Sequence, residues 1–131
     1  MKKIVHILLF SFIACFCLNI TAVKAQDNNN RVESLRIAFI TKKLNLTPTE
    51  AQGFWPVYNK YDEEMRKTIR EHRSKGGSEL ELEEKKLNVR KKYKSDFTKV
   101  INEKKFDTLI KSESEWSVMV KNELQRRRQN N

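Results

Sequence analysis

Leu46-Thr47-Pro48-Thr49-Glu50-Ala51 decides the fold, because each residue type suits one place at the start of a helix. Thr47 suits the N-cap, where its hydroxyl accepts an otherwise unpaired backbone N–H. Pro48 suits the first helical position, where no N–H is needed, and Glu50 completes a capping box. A helix therefore begins at Pro48. From there Ala51, Phe54, Tyr58, Tyr61, Met65, Thr68 and His72 recur at three- and four-residue steps, a seam fit to pack against another helix along nearly its whole length. The pattern runs to about Lys75. Pro56 cannot donate to the carbonyl of Gln52, so a bend near Gly53–Pro56 is expected, at a cost of roughly 3 kcal/mol if unrelieved.

Working outward toward the C-terminus, Gly76-Gly77 closes this helix and Ser78-Glu79-Leu80-Glu81 reads as a second capping box that opens the next. Two long helices joined by so tight a link make an antiparallel hairpin. The third helix carries Leu80, Leu87, Lys94, Phe97 and Ile101 on one stripe with Leu82, Val89, Tyr93 and Val100 beside it, a sparse apolar face among many cations. Asn102 is a weak cap before a last helix with Phe106, Leu109, Ile110, Trp116, Val120 and Leu124. Residues 126–131, beginning Arg126-Arg127-Arg128, read as a basic, polar, frayed tail.

Toward the N-terminus, Val32, Leu35, Phe39, Ile40 and Leu44 place an amphipathic helix from about 32 to Asn45, after a polar leader at 26–31 expected to be disordered. Lys2 and Lys3 precede an apolar run from Ile4 to about Ile20, and Val23-Lys24-Ala25 offers a cleavage site after Ala25, so residues 1–25 read as a signal peptide. An uncleaved anchor and lipid attachment at Cys15 are the alternatives. Cleavage removes Cys15, Cys17 and His6, leaving no thiol, one histidine and 24 basic against 17 acidic residues over 26–131. A disulfide framework, a Cys nucleophile and a multi-His metal site are excluded with them. An exported chain is also expected to have no nucleic-acid partner. With three Gly and two Pro in 131 residues, an all-β chain has too few turn signals. The expectation is one all-α domain over 32–125, a long bent antiparallel hairpin with flanking helices, about four in all.

The Leu46-Thr47-Pro48-Thr49-Glu50 motif, in an exported, basic, all-helical chain of this length, resembles the Spy/CpxP family of periplasmic proteins, named for an L-T-x-x-Q motif. Glu50 stands where that family has Gln, and both residues can complete a capping box. A second copy of the motif is reduced to a degenerate relic at Val100-Ile101-Asn102-Glu103-Lys104-Lys105-Phe106. The stretch Phe54-Trp55-Pro56-Val57-Tyr58-Asn59-Lys60-Tyr61 is similar to a branch labelled as sensors of extracytoplasmic-function sigma factors. The resemblance implies a helical hairpin, often a cradle-shaped homodimer, that binds unfolded or stress-signalling proteins without ATP. The alternative, second to it, is a sensor that docks one specific membrane-bound regulator.

No nucleophile with a base, metal cluster or phosphate loop is legible over 26–131, so no enzyme activity, cofactor or metal is expected. His72 falls on the seam and reads as structural. Asp62, Glu63 and Glu64 read as partners in helix pairs, Asp62–Arg66 and Glu63–Lys67, rather than as a cation site. The basic runs Arg66, Lys67, Arg70, Arg73 and Lys75 on one helix and Lys85, Lys86, Arg90, Lys91, Lys92 and Lys94 on the next come close if the hairpin forms. They admit two readings, a solvated face trimmed by Glu71–Lys75 and Glu81–Lys85 pairs, or a surface for clients. Tyr58 and Tyr61 read as core, while Trp55 fits core and client contact equally. Arg126-Arg127-Arg128 suit the helix dipole, with a weak anionic membrane contact as a further reading.

Overall fold

The computed structural model describes the backbone of residues 20–130 and side chains from Asn30 onward. The chain forms α1 (Ile20–Leu44), α2 (Pro48–Lys75), α3 (Glu79–Val100) and α4 (Glu103–Gln129), with no strand among the described residues. The all-α expectation of about four helices holds. The signal peptide expected at 1–25 lies outside the described residues up to position 19. No helix among the described residues is long and apolar enough to cross a membrane.

The chain divides into two compact units, Met1–Ala38 and Phe39–Asn131, and α1 spans the division. In the first unit, α1 runs straight through the 26–31 segment, which corrects the expectation of a disordered leader there. Adding a residue to an existing helix costs little compared with starting one, so the Ile20–Ala25 turns can carry the helix across Asn28, Asn29 and Asn30. The Ser34 hydroxyl donates to the Asn30 carbonyl at 2.9 Å, and Arg36 pairs with Glu33 at 2.8 Å. Val32, Leu35 and Ile37 are exposed.

In the second unit, all three expected caps form. Thr47 accepts from Glu50 N–H at 3.2 Å while Glu50 accepts from Thr47 N–H at 2.8 Å. Ser78 and Glu81 repeat the exchange, both bonds 3.2 Å, and Asn102 accepts from Lys105 N–H at 2.9 Å. These bonds satisfy donors that helix starts leave unpaired, which is why α2, α3 and α4 begin where they do. α1 ends on Asn45 in the left-handed region, φ 46°, a conformation Asn tolerates better than most residues. α2 continues through Pro56 to Lys75.

Helices α2 and α3 pair antiparallel, with Lys60 opposite Tyr93, Glu64 opposite Lys92 and His72 opposite Lys85. The predicted seam is the buried face of α2: Phe54, Tyr58, Tyr61 and His72 are buried, and Ala51, Met65 and Thr68 half-buried. At the base of the hairpin Phe54, Tyr58 and Tyr61 join Ile40 and Leu44 of α1, Val89 and Phe97 of α3, Ile101, and Phe106 and Leu109 of α4 in one core. Gly53 permits the closest approach there, since a Cβ on it would stand 2.8 Å from Val100 Cγ1. At the tip, Gly77 (φ 157°) crosses directly over His72, and a Cβ on it would come within 2.4 Å of the imidazole Cε1.

The tail expected at 126–131 is also corrected, because α4 stays helical to Gln129. Glu123 pairs with Arg126 at 2.7 Å and with Arg127 at 2.8 Å, and the three arginines occupy the last turn, where positive charge offsets the helix dipole. That charge arrangement favours the ordered turn over a frayed end.

Candidate functional site

Residues 66–92 form the far arm of the hairpin and carry ten Lys and Arg against five Glu, whereas the other described residues carry 15 against 12. The structure brings both basic runs onto this arm except for Lys94, which pairs with Glu103 of α4 at the base. Arg66, Lys67, Arg70 and Arg73 on α2, and Lys85, Lys91 and Lys92 on α3, are exposed; Lys86 and Arg90 are half-buried. Some of this charge is spent locally. Arg66 bonds Asp62 at 2.7 Å, Lys86 bonds Glu83, and Lys67 comes within 3.9 Å of Glu71. The expected Glu63–Lys67, Glu71–Lys75 and Glu81–Lys85 pairs do not form: Glu71 is turned to Lys67, and Glu81 is held in the α3 capping box. Among the described residues Arg70, Arg73, Lys75 and Lys91 have no carboxylate partner.

Two polar clusters mark the two sides of the hairpin. On one side Lys92 donates to both oxygens of Glu64, at 2.8 and 2.7 Å, and the Tyr93 hydroxyl donates to the same carboxylate at 2.9 Å. The Lys92 bond first, then the Tyr93 bond, holds the Glu64 carboxyl below its ordinary range, while Glu64 raises Lys92. An open groove here is lined by Lys60, Glu63, Glu64, Lys67, Glu71 and Lys92, three cations against three anions. On the other side the Tyr61 hydroxyl donates to Glu113 of α4 at 2.8 Å, with the Arg90 guanidinium near enough for its charge to act on the phenol. Burial first, then the Glu113 charge, pushes the Tyr61 phenol far above its ordinary value. Lys94 of α3 pairs with Glu103 of α4 on this same side, at 3.0 Å.

The motif residues have a role the sequence does not reveal. Lys105 donates to both Glu50 oxygens, at 2.8 and 2.7 Å, and to the Asn45 carbonyl at 3.0 Å. The end of α1, the cap of α2 and the first turn of α4 thus meet at one ammonium group, that of Lys105. Lys105 and Thr47 together hold the Glu50 carboxyl below its ordinary range, Lys105 contributing most. Leu46 packs against the core, and Pro48 takes its place in the first turn. Lys105 lies in the stretch read as a degenerate second motif, so that stretch remains coupled to the first.

Trp55 is half-buried, edge-on to Phe54 at 5.0 Å and to Tyr58 at 5.4 Å, so it packs against the core and is not a free aromatic strip. The apolar groups that stay uncovered on the arm are Leu80, 80% exposed, and Leu87, 45% exposed. Their spacing had placed both on the hairpin stripe; Leu82 and Val89 take that place instead. His72 is buried, its Nδ1 3.4 Å from Lys85 Nζ. No group of three potential metal ligands comes together among the described residues. No family model, curated protein or solved structure matches the chain.

Proposed function

We propose that this is an exported, ATP-independent, chaperone-like envelope-stress protein of the Spy/CpxP type, periplasmic and working as a homodimer, that binds unfolded proteins reversibly. The observation that supports it best is the charge and exposure of the hairpin arm, with ten Lys and Arg against five Glu beside two uncovered leucines. Such a surface attracts acidic unfolded chains over roughly a Debye length of about 10 Å and then holds their apolar groups by small patches. Burying part of a Leu yields on the order of 1 kcal/mol, enough to slow aggregation and too little to prevent release. Long Lys and Arg stems keep the arm soluble between encounters.

The test follows aggregation of a chemically unfolded client by light scattering, with increasing protein, without nucleotide, at low and high salt. Suppression near equimolar ratio that weakens in salt is the expected result. No suppression at several-fold excess overturns this reading in favour of a sensor with one folded, membrane-bound partner.

A further inference from the structure

The two sides of the hairpin are not equivalent, and α4 already demonstrates what one of them accepts. At the base, α4 lays itself against the Tyr61–Arg90 side as an amphipathic helix. It places Glu103 on Lys94 and Glu113 on Tyr61, with Phe106 and Leu109 driven into the core between those two carboxylates. The rest of α4 then joins α1, through Phe39–Trp116 rings 5.5 Å apart and a Lys43–Glu115 pair at 2.6 Å. The side it docks on continues toward the tip without it.

At 3.6 residues per turn, Arg66, Ile69 and Arg73 follow one another along α2 on the Tyr61–Arg90 side, and Leu87 and Glu83 follow Arg90 along α3, with Leu80 at the tip. The antiparallel register sets Arg66, which holds Asp62 at 2.7 Å, beside Arg90, then Ile69 beside Leu87, so a level with two guanidinium groups and one carboxylate is succeeded by an apolar one. Ile69 is half-buried and Leu87 and Leu80 are exposed. The opposite side has no such order, because its three cations and three anions alternate and Lys92, Glu64 and Tyr93 satisfy one another.

We infer that the Arg66–Ile69–Arg73 and Leu87–Arg90 strip is a docking track for an acidic amphipathic segment, with carboxylates and apolar side chains at helical spacing, bound in the manner of α4's first turns. The inference rests on the chaperone-like reading and names the chemistry of the segment that such a protein selects. Arginine suits the task because its fork pairs with a carboxylate in a fixed geometry, and a neighbouring apolar level favours helical over extended ligands.

The test measures fluorescence anisotropy of a labelled synthetic peptide with Glu and Leu at i,i+4 spacing, and of its counterpart with Lys in place of Glu, against the purified protein. The Glu peptide is expected to bind about tenfold tighter than the Lys peptide. Arg73→Glu and Leu87→Ser, both at exposed positions, should each weaken it about fivefold with helicity unchanged. Lys60→Glu, an equal charge change on the opposite side, should cost about twofold or less. If Lys60→Glu weakens binding as much as Arg73→Glu, net charge alone operates and the track is overturned. Absence of peptide binding alongside intact aggregation suppression also overturns the track and leaves the chaperone-like reading standing. Loss of both overturns that reading as well.

Discussion

Between Phe54 and Tyr61 on α2, the hairpin is closed by rings: Phe54 on Phe97 at 5.5 Å, Tyr61 on Phe97 at 5.5 Å and on Tyr93 at 5.7 Å, with Phe106 of α4 completing the cluster. Between Thr68 and Lys75 the same helix meets α3 through Leu82, His72 and little else that is buried. The base has helices on several sides of its core; on the arm the buried residues of α2 and α3 face each other. An aromatic pair adds about 0.5–1.5 kcal/mol beyond its area, so the base accumulates cohesion that the arm lacks. The arm is held instead by its caps, a tight glycine link and paired charges. The comparison separates a scaffold from a surface within one pair of helices, and the scaffold can stay folded while the surface exchanges partners.

The largest expected effect comes from attacking the scaffold. Phe97 is fully buried and touches rings on both α2 and α4, so Phe97→Ala should cost about 3–5 kcal/mol and lower the thermal midpoint followed by circular dichroism more than any arm substitution. An arm variant with an equal loss would break the distinction. Next is Gly77→Ala, where a Cβ meets the His72 ring and the backbone lies at φ 157°. The expected loss is about 1–3 kcal/mol, seen as faster amide exchange in residues 72–86 while amides of the base keep their protection.

A smaller effect concerns the joint at Glu50. Its carboxyl is held below the ordinary value of 4.5 in the folded chain, chiefly by Lys105, so the stability it adds is complete above that value and is lost as pH falls through the lowered one. Acid titration of unfolding should therefore show a dependence below pH 4.5 that shrinks in Lys105→Met; an unchanged profile in that variant would remove the joint from the account. The smallest effect belongs to the arm's surface. Arg66→Ala breaks an exposed i,i+4 pair and should change stability by only about 0.5 kcal/mol in urea unfolding, although it lies on the proposed docking track.

Local chemistry was legible in the sequence and distant chemistry was not. Thr47 with Glu50, Ser78 with Glu81, and Asn102 each set a helix start from within a few residues, and the Phe54–His72 seam identified the buried face of α2 by period alone. Glu50 with Lys105 and Tyr61 with Glu113 are 55 and 52 residues apart, and neither could be anticipated without knowing how α4 crosses the hairpin. The exposed pairs failed for another reason. Lys67 has a glutamate on both neighbouring turns, Glu63 and Glu71, at nearly equal energy, so spacing rules alone cannot choose between them. Composition misjudged the 26–31 segment and the last turn of α4, since it weighs residues singly while a helix already under way extends cooperatively.

Every ring that absorbs or emits usefully in the near ultraviolet lies outside the arm: Trp55, Tyr58, Tyr61 and Tyr93 at the base and Trp116 against Phe39. Residues 66–92 contain neither tryptophan nor tyrosine. Intrinsic emission therefore reports on the scaffold and is blind to the surface, while the far-ultraviolet signal sums both. Heating the protein and recording the two together turns their separation in temperature into a direct readout of how far the arm unwinds before the base gives way. A single tryptophan placed at Leu87 would give the arm a signal of its own.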